Sequence, residues 1–201
     1  GKGIPYWASG TINSDSSVQV SYKGKPLQSG KKYYWKVRVW DNQGKASPWS
    51  ETAYWQMGLL DSNEWKAKWI ESGLDKDGEM RPAIHFRKEF QSTKKIASAT
   101  AYITAHGMYE ARINGKRVGD YYLTPGWTSY NKRLQYQTYD VTNLLNKGDN
   151  AVGVTLANGW YRGYLAWGGN KNVWGKDLSL LIQIDITYTD GTKESVVSDG
   201  S

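Results

Sequence analysis

Few side chains in this sequence could do chemistry, and they fall into two groups. The first is titratable. His85 and His106 are the only histidines, and there is no cysteine. That removes disulfides, thiol nucleophiles and Cys-based zinc sites. No G-x-S-x-G, H-E-x-x-H or P-loop run occurs. Paired carboxyls can hydrolyse a glycosidic bond when they stand roughly 6.5–9.5 Å apart, as in an inverting enzyme, and one has a raised pKa. The candidates are Glu110, Asp120, Asp140, Asp177 and Asp185, and Glu110 and Asp120 flank Asn114-Gly115, where a hairpin would bring them together. Their ordinary role is as surface carboxylates and turn formers, because Asp side chains hydrogen-bond the local backbone. On these residues the chain alone is expected to catalyse nothing.

The second group is aromatic and amide. Trp127, Trp160, Tyr161, Trp167 and Trp174 stand in glycine-rich loops, with Asn158, Arg162, Asn170 and Asn172 among them. An indole face can stack on the C–H face of a sugar ring while Asn or Arg reaches its hydroxyls. Asp120, Asn170 and Asn172 are hard oxygen donors that suit calcium if they converge with backbone carbonyls. The competing reading makes the Gly-Trp pairs corner plugs of a β-fold, given the preference of Trp for burial. Plugging is favoured for Trp127 and Trp160. Trp167 and Trp174, set among Gly and Asn, are evenly balanced.

These loops hang from strands. The stretch from Ala99 to Gly163 holds three strand-like runs, Ala99 to Thr104, Tyr109 to Ile113 and Ala151 to Leu156. Their period of two puts one face in and one out. Asn114-Gly115 predicts a type I′ hairpin turn, since both residues accept positive φ. His85 to Phe90 alternates with Phe86 and Phe90 on one face, Leu178 to Thr187 is a long apolar alternation, and Asp190-Gly191 turns it into Lys193 to Val197. Tyr139 to Thr142 followed by Leu144-Leu145 reads as a strand and a short helical turn. No window shows helical periodicity. The fold class is therefore all-β, with two β-sandwich domains.

Residues 1–58 form the first domain. Ser17 to Tyr22 alternates, and Lys31 to Trp40 (KKYYWKVRVW) does so strictly, with Tyr33, Trp35, Val37 and Val39 on one side. Thr52 to Gln56 is a further strand. The Y-x-W-x-V-R-V-x-D-x-x-G run and the following S-x-W-S resemble the C-terminal half of a fibronectin type III domain. Residues 59–82 read as a linker: Trp65 and Trp69 would stack in a helical turn and plug a domain junction, and Glu71 to Arg81 is an aperiodic loop. Residues 83–201 are the second sandwich, jelly-roll-like and antiparallel. Both sandwiches are expected to be incomplete, so that Val37 or Val39, and Leu180 or Ile182, are unusually accessible or covered by another chain.

The chain's 26 basic and 19 acidic residues give a net charge of +7. The basic pairs, such as Lys94-Lys95 and Lys132-Arg133, are spread along the chain as expected of strand edges and turns. No nucleic-acid-binding module signature occurs, and no apolar run approaches the roughly 18 residues of a membrane span. Eleven Trp and 15 Tyr against two Phe suit sandwich cores with wet ends, and equally carbohydrate platforms.

A series of motifs then resembles one family. Phe86-Arg87-Lys88-Glu89-Phe90, Ala101-Tyr102 and His106-Gly107-Met108-Tyr109 belong to it. So do Ile113 to Asp120 (INGKRVGD), Pro125 to Tyr130 (PGWTSY), Tyr136 to Thr142 (YQTYDVT) and Asn158 to Gly163 (NGWYRG), together with the W-x-A-x-W-I run from Trp65 to Ile70. In this order they look like the N-terminal β-sandwich module of bacterial α-L-rhamnosidases, whose usual neighbour is a fibronectin-like segment. The resemblance implies a secreted or periplasmic glycoside hydrolase that removes terminal L-rhamnose from glycosides or polysaccharides with inversion. Its acid and base lie on a downstream (α/α)6 barrel, so no catalytic residue transfers to this chain. The implied partners are that catalytic domain and rhamnose-containing glycosides. No cofactor is required, and calcium is the metal its donors suit. Three roles stay open: a non-catalytic accessory region, a rhamnose-binding module that uses calcium, and a fibronectin-type cell-surface adhesion domain.

Overall fold

The computed structural model describes residues 4–15, 20–73 and 82–200. Ser17 to Gln19 of the expected first strand, and residues 74–81 of the expected loop, lie outside them. The chain divides into two compact units, Gly1–Met57 and Gly58–Ser201.

In the first unit, β1 (Lys32–Trp35) pairs antiparallel with β2 (Ala53–Gln56), with Tyr34 opposite Tyr54. This two-stranded sheet is the only one in the unit among the described residues. The run predicted to continue to Trp40 leaves the ladder at Trp35. Beyond it, Val37 N–H donates to Ser50 Oγ at 3.0 Å and Val39 N–H to Ser47 Oγ at 3.1 Å, while Ser50 and Ser47 N–H return to the two valine carbonyls. Serine hydroxyls thus take the acceptor role that backbone carbonyls fill in a regular ladder. Of the four residues predicted on one face, only Tyr33 is buried. Val37 and Val39 are 46% and 65% exposed, as expected.

The second unit is the antiparallel β-sandwich that the alternation predicts. One sheet joins β10 (Lys193–Val197), β9 (Ser179–Tyr188), β4 (Ile96–His106) and β7 (Gln137–Asp140) in that order. The other joins β3 (Ile84–Ser92), β8 (Gly148–Ala157), β5 (Met108–Ile113) and the two-residue β6 (Lys116–Arg117). Asn114 and Gly115 take φ of 51° and 79°, the two positive values a type I′ turn demands. The core between the sheets gathers Ala101, Ile103 and Ala105 of β4, Ala111 and Ile113 of β5, Val152, Val154 and Leu156 of β8, and Ile184 and Ile186 of β9. Leu180 and Ile182, expected to be accessible, are buried in the same core. The correction has a visible cause: the facing sheet packs on both side chains, and the backbone edge is closed by Ser198, bonded to Ile182, and by Ile70, bonded to Leu180 at 2.9 and 3.0 Å.

The predicted one-in, one-out alternation fails on β4 and β9, which are buried on both faces at Tyr102, Thr104, Leu181 and Gln183. The segment read as a linker does much of this covering, with Gln135 and Tyr136 over Thr104 and Tyr102. Asp61 caps a 3-10 turn, Ser62–Glu64, with a reciprocal capping box. Trp65 then leaves in an extended conformation, so Trp65 and Trp69 do not share a helical turn. Trp65 instead sets its ring edge-on against Tyr102 and Tyr136, at 6.2 and 5.3 Å between centroids. Gln183, 1% exposed, pins the segment. Its Oε1 accepts from Lys66 N–H at 2.7 Å, and its Nε2 donates to the Glu64 carbonyl at 3.1 Å. Burial here, and then the nearby Asp185 charge, push the Tyr102 hydroxyl up to about 12.

Candidate functional site

Most of the predicted site residues collect at one end of the second sandwich. There β4 ends at His106, β5 begins at Met108, and β8 ends at Ala157, the pairing partner of Met108. Gly107 makes the link between β4 and β5 at φ 136°, and a Cβ there would sit 2.6 Å from the Ala157 carbonyl, so only glycine fits. The Thr124–Trp127 loop returns to the same place. Tyr109 N–H donates to the Thr124 carbonyl and Thr124 Oγ1 to the Tyr109 carbonyl, both at 2.9 Å, and the Thr124-Pro125 peptide is cis. After β8, the chain makes a single helical turn, α1 (Gly159–Arg162).

Trp127 and Trp160 meet across these two loops. Their rings lie 8° from parallel with centroids 6.0 Å apart. Trp127 is 59% exposed and Trp160 partly so. The corner-plug reading therefore fails for Trp127, which presents an indole face to solvent.

One residue further along α1 the environment reverses. Tyr161 stacks on His106 at 4.8 Å, and His106 on Trp69 at 4.5 Å with their planes 7° apart. Tyr130 sets its edge on Tyr161, and Trp174 tilts against Tyr130. His106 Nδ1 lies 2.8 Å from Ser179 Oγ. Burial in this stack lowers the imidazole pKa, against the opposing pull of Glu71. Trp174 is partly buried in this cluster, and its indole nitrogen has no partner among the described residues.

Arg162 was expected to reach sugar hydroxyls. It is instead 2% exposed. Its Nε and Nη2 donate to Asn158 Oδ1 at 2.8 and 2.6 Å, and its Nη1 to the Lys176 carbonyl at 3.3 Å. Asn158 and Arg162 thus close on each other inside the fold. Trp167 is fully exposed near the tip of a loop closed by the Leu165–Asn170 bridge. Asn170 is exposed on the same loop, and Asn172 anchors it by donating its N–H to the Arg162 carbonyl at 3.1 Å. Asp120 follows β6, a different loop, and is also exposed. Among the described residues no group of three or more His, Cys, Asp or Glu gathers to hold a metal.

Three of the candidate carboxylates have local partners. Glu110 Oε1 accepts from Arg112 Nη2 at 2.9 Å, and its Oε2 lies 3.5 Å from Arg117 Nε. Asp140 accepts from the Thr142 N–H and hydroxyl, and Asp185 from Ser195 Oγ and Gln183 Nε2. His85 stands beside Thr155 on the exposed side of β3. Sequence reasoning missed the Trp69–His106–Tyr161 stack. Its partners are far apart in the chain and share no motif, and the only hint was a histidine placed before a glycine where a strand ends.

Comparison with known proteins places this geometry. Residues 94–201 match the family described as Alpha-L-rhamnosidase N-terminal domain. Residues 2–61 match Rha78A-like, N-terminal immunoglobulin domain, so the first unit's family match is to an immunoglobulin domain and not to a fibronectin one. An alpha-L-rhamnosidase of Formosa agariphila is 40% identical over 96% of this chain and 22% of its own length. The structure of the alpha-L-rhamnosidase from Aspergillus terreus superposes with a TM-score of 0.84 at 42% identity, covering 94% of this chain and 22% of that one. That of the Streptomyces avermitilis alpha-L-rhamnosidase complexed with L-rhamnose does so with 0.80 at 25% identity, covering 96% of this chain and 35% of that one. The chain spans about a fifth of the length of the Formosa and Aspergillus relatives. With more than half of its residues matched by that first description, the chain belongs to the α-L-rhamnosidase family, as its N-terminal domain region.

Proposed function

We propose that this chain is the non-catalytic N-terminal region of a secreted or periplasmic α-L-rhamnosidase. The parent enzyme removes terminal L-rhamnose from glycosides or polysaccharides with inversion, using an (α/α)6 barrel downstream, and the sandwich packs against that barrel and positions it. The observation that carries this reading is coverage: more than nine-tenths of the chain aligns with about a fifth of each of two relatives. Three of the carboxylates within it support the same reading, since Glu110 is engaged by Arg112, Asp140 by Thr142 in a turn and Asp185 by Ser195 of the adjoining strand. The test is an aryl α-L-rhamnoside assay on the purified chain beside a longer protein that includes the downstream region. The longer protein should turn the substrate over and the chain should not. Turnover by the chain alone overturns the reading.

A second role is compatible with the first, and the exposed Trp127–Trp160 pair favours it. A pyranose laid on the open indole of Trp127 would bury its C–H face. Titration with L-rhamnose up to tens of millimolar, with and without calcium, should give a saturating tryptophan fluorescence change that Trp127→Ala abolishes. A flat titration in both conditions removes this role and leaves the first intact.

A further inference from the structure

The first unit carries a strip of alternating cations and aromatic rings. Residues 1–57 contain eight basic and three acidic residues, so this unit holds +5 of the chain's net +7. Lys32, Tyr34 and Tyr54 share one face of the β1–β2 sheet, with Lys32 Nζ 4.8 Å from the centre of the Tyr54 ring. Val37 and Val39 both turn their backbone groups to the Ser47–Ser50 segment. That pattern keeps the chain extended beyond β1 and puts Lys36, Arg38 and Trp40 on the side of Tyr34. Arg38 packs against two indoles: its guanidinium carbon lies 4.8 Å from the centre of the Trp40 ring and 4.7 Å from that of Trp49. Lys36, Arg38, Tyr34, Tyr54, Trp40 and Trp49 are all exposed.

Packing against aromatic rings engages the apolar faces of a guanidinium and leaves its in-plane N–H donors available. An Arg restrained by two rings loses less freedom when it grips an oxyanion in fork geometry. Among the described residues neither Arg38 nor Lys36 has a carboxylate partner. Asp41, the acid nearest in sequence, is bound in its own turn by the N–H groups of Gln43 and Lys45.

We propose that this strip, centred on Trp40–Arg38–Trp49 and continued by Lys36 and Tyr34, binds an acidic polysaccharide. Sulfate or carboxylate groups meet Arg38 and Lys36, and sugar rings lie on the exposed aromatic faces. Charge complementarity selects this occupant over a neutral glycan. The strip's mixture of flat rings and cations, with no buried apolar groove, selects it over a folded protein. The inference does not depend on the parent enzyme's reaction.

The test uses the intact chain in affinity electrophoresis and tryptophan fluorescence, with dextran sulfate, polygalacturonate and neutral dextran as probes and oligo(dT) alongside. Dextran sulfate or polygalacturonate should bind, and binding should weaken as salt rises. Binding of the sulfated probe alone assigns the strip to sulfate esters, and binding of both assigns it to anionic sugars in general. Arg38→Ala should lower affinity about tenfold, the loss of one charge-assisted contact. Lys36→Glu should do at least as much without touching the indole pair, and so guards against local loosening in Arg38→Ala. The double change Lys132→Ala with Arg133→Ala, in the second unit, should alter affinity less than about twofold. Equal binding of neutral dextran, unchanged affinity in both strip variants, or tighter binding of oligo(dT) than of either acidic polysaccharide would each overturn the proposal.

Discussion

The two units start from the same kind of sequence and treat it in opposite ways. Lys31 to Trp40 alternates as strictly as any run in the second unit, yet only β1 joins a ladder and Val37 and Val39 stay exposed. Ser179 to Tyr188 alternates less strictly and is buried on both faces through most of its length. The difference lies in what covers each strand. In the second unit a facing sheet packs on one side of β9, and the Asp61–Ile70 segment covers the other. In the first unit the described residues supply one short partner strand. Alternation specifies a strand with two unlike faces, and burial is decided by the rest of the chain.

Core truncation is the sharpest way to test that contrast. Ile103 sits at the centre of β4 and is fully buried. Ile103→Ala removes contacts on a site with little room to collapse and should cost about 2–5 kcal/mol. Val39→Ala deletes a comparable apolar group from an exposed position and should change stability by no more than about 0.5 kcal/mol. Denaturant unfolding, followed by a probe in each unit, measures both. A large loss at Val39 would mean that the first unit holds a core its exposed valines do not reveal.

A smaller effect separates the covered face of β9 from its inner face. Gln183→Leu keeps the volume and removes the acceptor for Lys66 N–H and the donor to the Glu64 carbonyl. Leaving buried backbone groups unpaired costs about 1–3 kcal/mol. Amide hydrogen exchange at Lys66 and Ala67 should accelerate while the amides of β4 stay protected. Uniform acceleration across the sandwich would instead make Gln183 part of the global core.

Gln183 also shows where the sequence stops being legible. The strands from Ile84 to Val197 were readable because period two and the Asn114-Gly115 turn are local signals. The coverage of β4 and β9 was not, because Tyr102, Thr104 and Gln183 look like outward polar positions until Trp65, the Gln135 carbonyl and Lys66, the last of them 117 residues from Gln183, are laid over them. The loop end was legible in part. Glycine and tryptophan marked where Trp127 and Trp160 would be, but their types carry no information about exposure, and the plug reading failed for Trp127. Arg162 was misread for a related reason. An arginine beside aromatic residues suggests a hydroxyl donor, and nothing in the run reveals that Asn158, one helical turn back, accepts from it. In the first unit, Arg38 was visible as one letter of an alternating run. Its contact with Trp49 as well as Trp40 depends on Ser47 and Ser50 bonding back to Val39 and Val37, which brings the second indole alongside.

The smallest predicted effect concerns His106, which belongs to the second unit. Burial between Trp69 and Tyr161 holds its folded pKa below the ordinary 6.5. The unfolded chain therefore binds a proton at His106 more readily than the folded one. Linkage then requires that stability rise with pH in the interval between the folded pKa and 6.5. The neutral imidazole's contribution is fully present above pH 6.5 and is lost as pH falls through the lower folded value. Lowering the pH from 7 to 5 should reduce the unfolding free energy of the second unit, and His106→Gln, which cannot titrate, should flatten that slope. The same variant should leave unfolding of the first unit unaltered, because the stack that shifts His106 is built from Trp69, Tyr161 and Ser179 of the second. An equal pH slope in the variant would place the acid sensitivity on other groups and reduce the three-ring stack to packing alone.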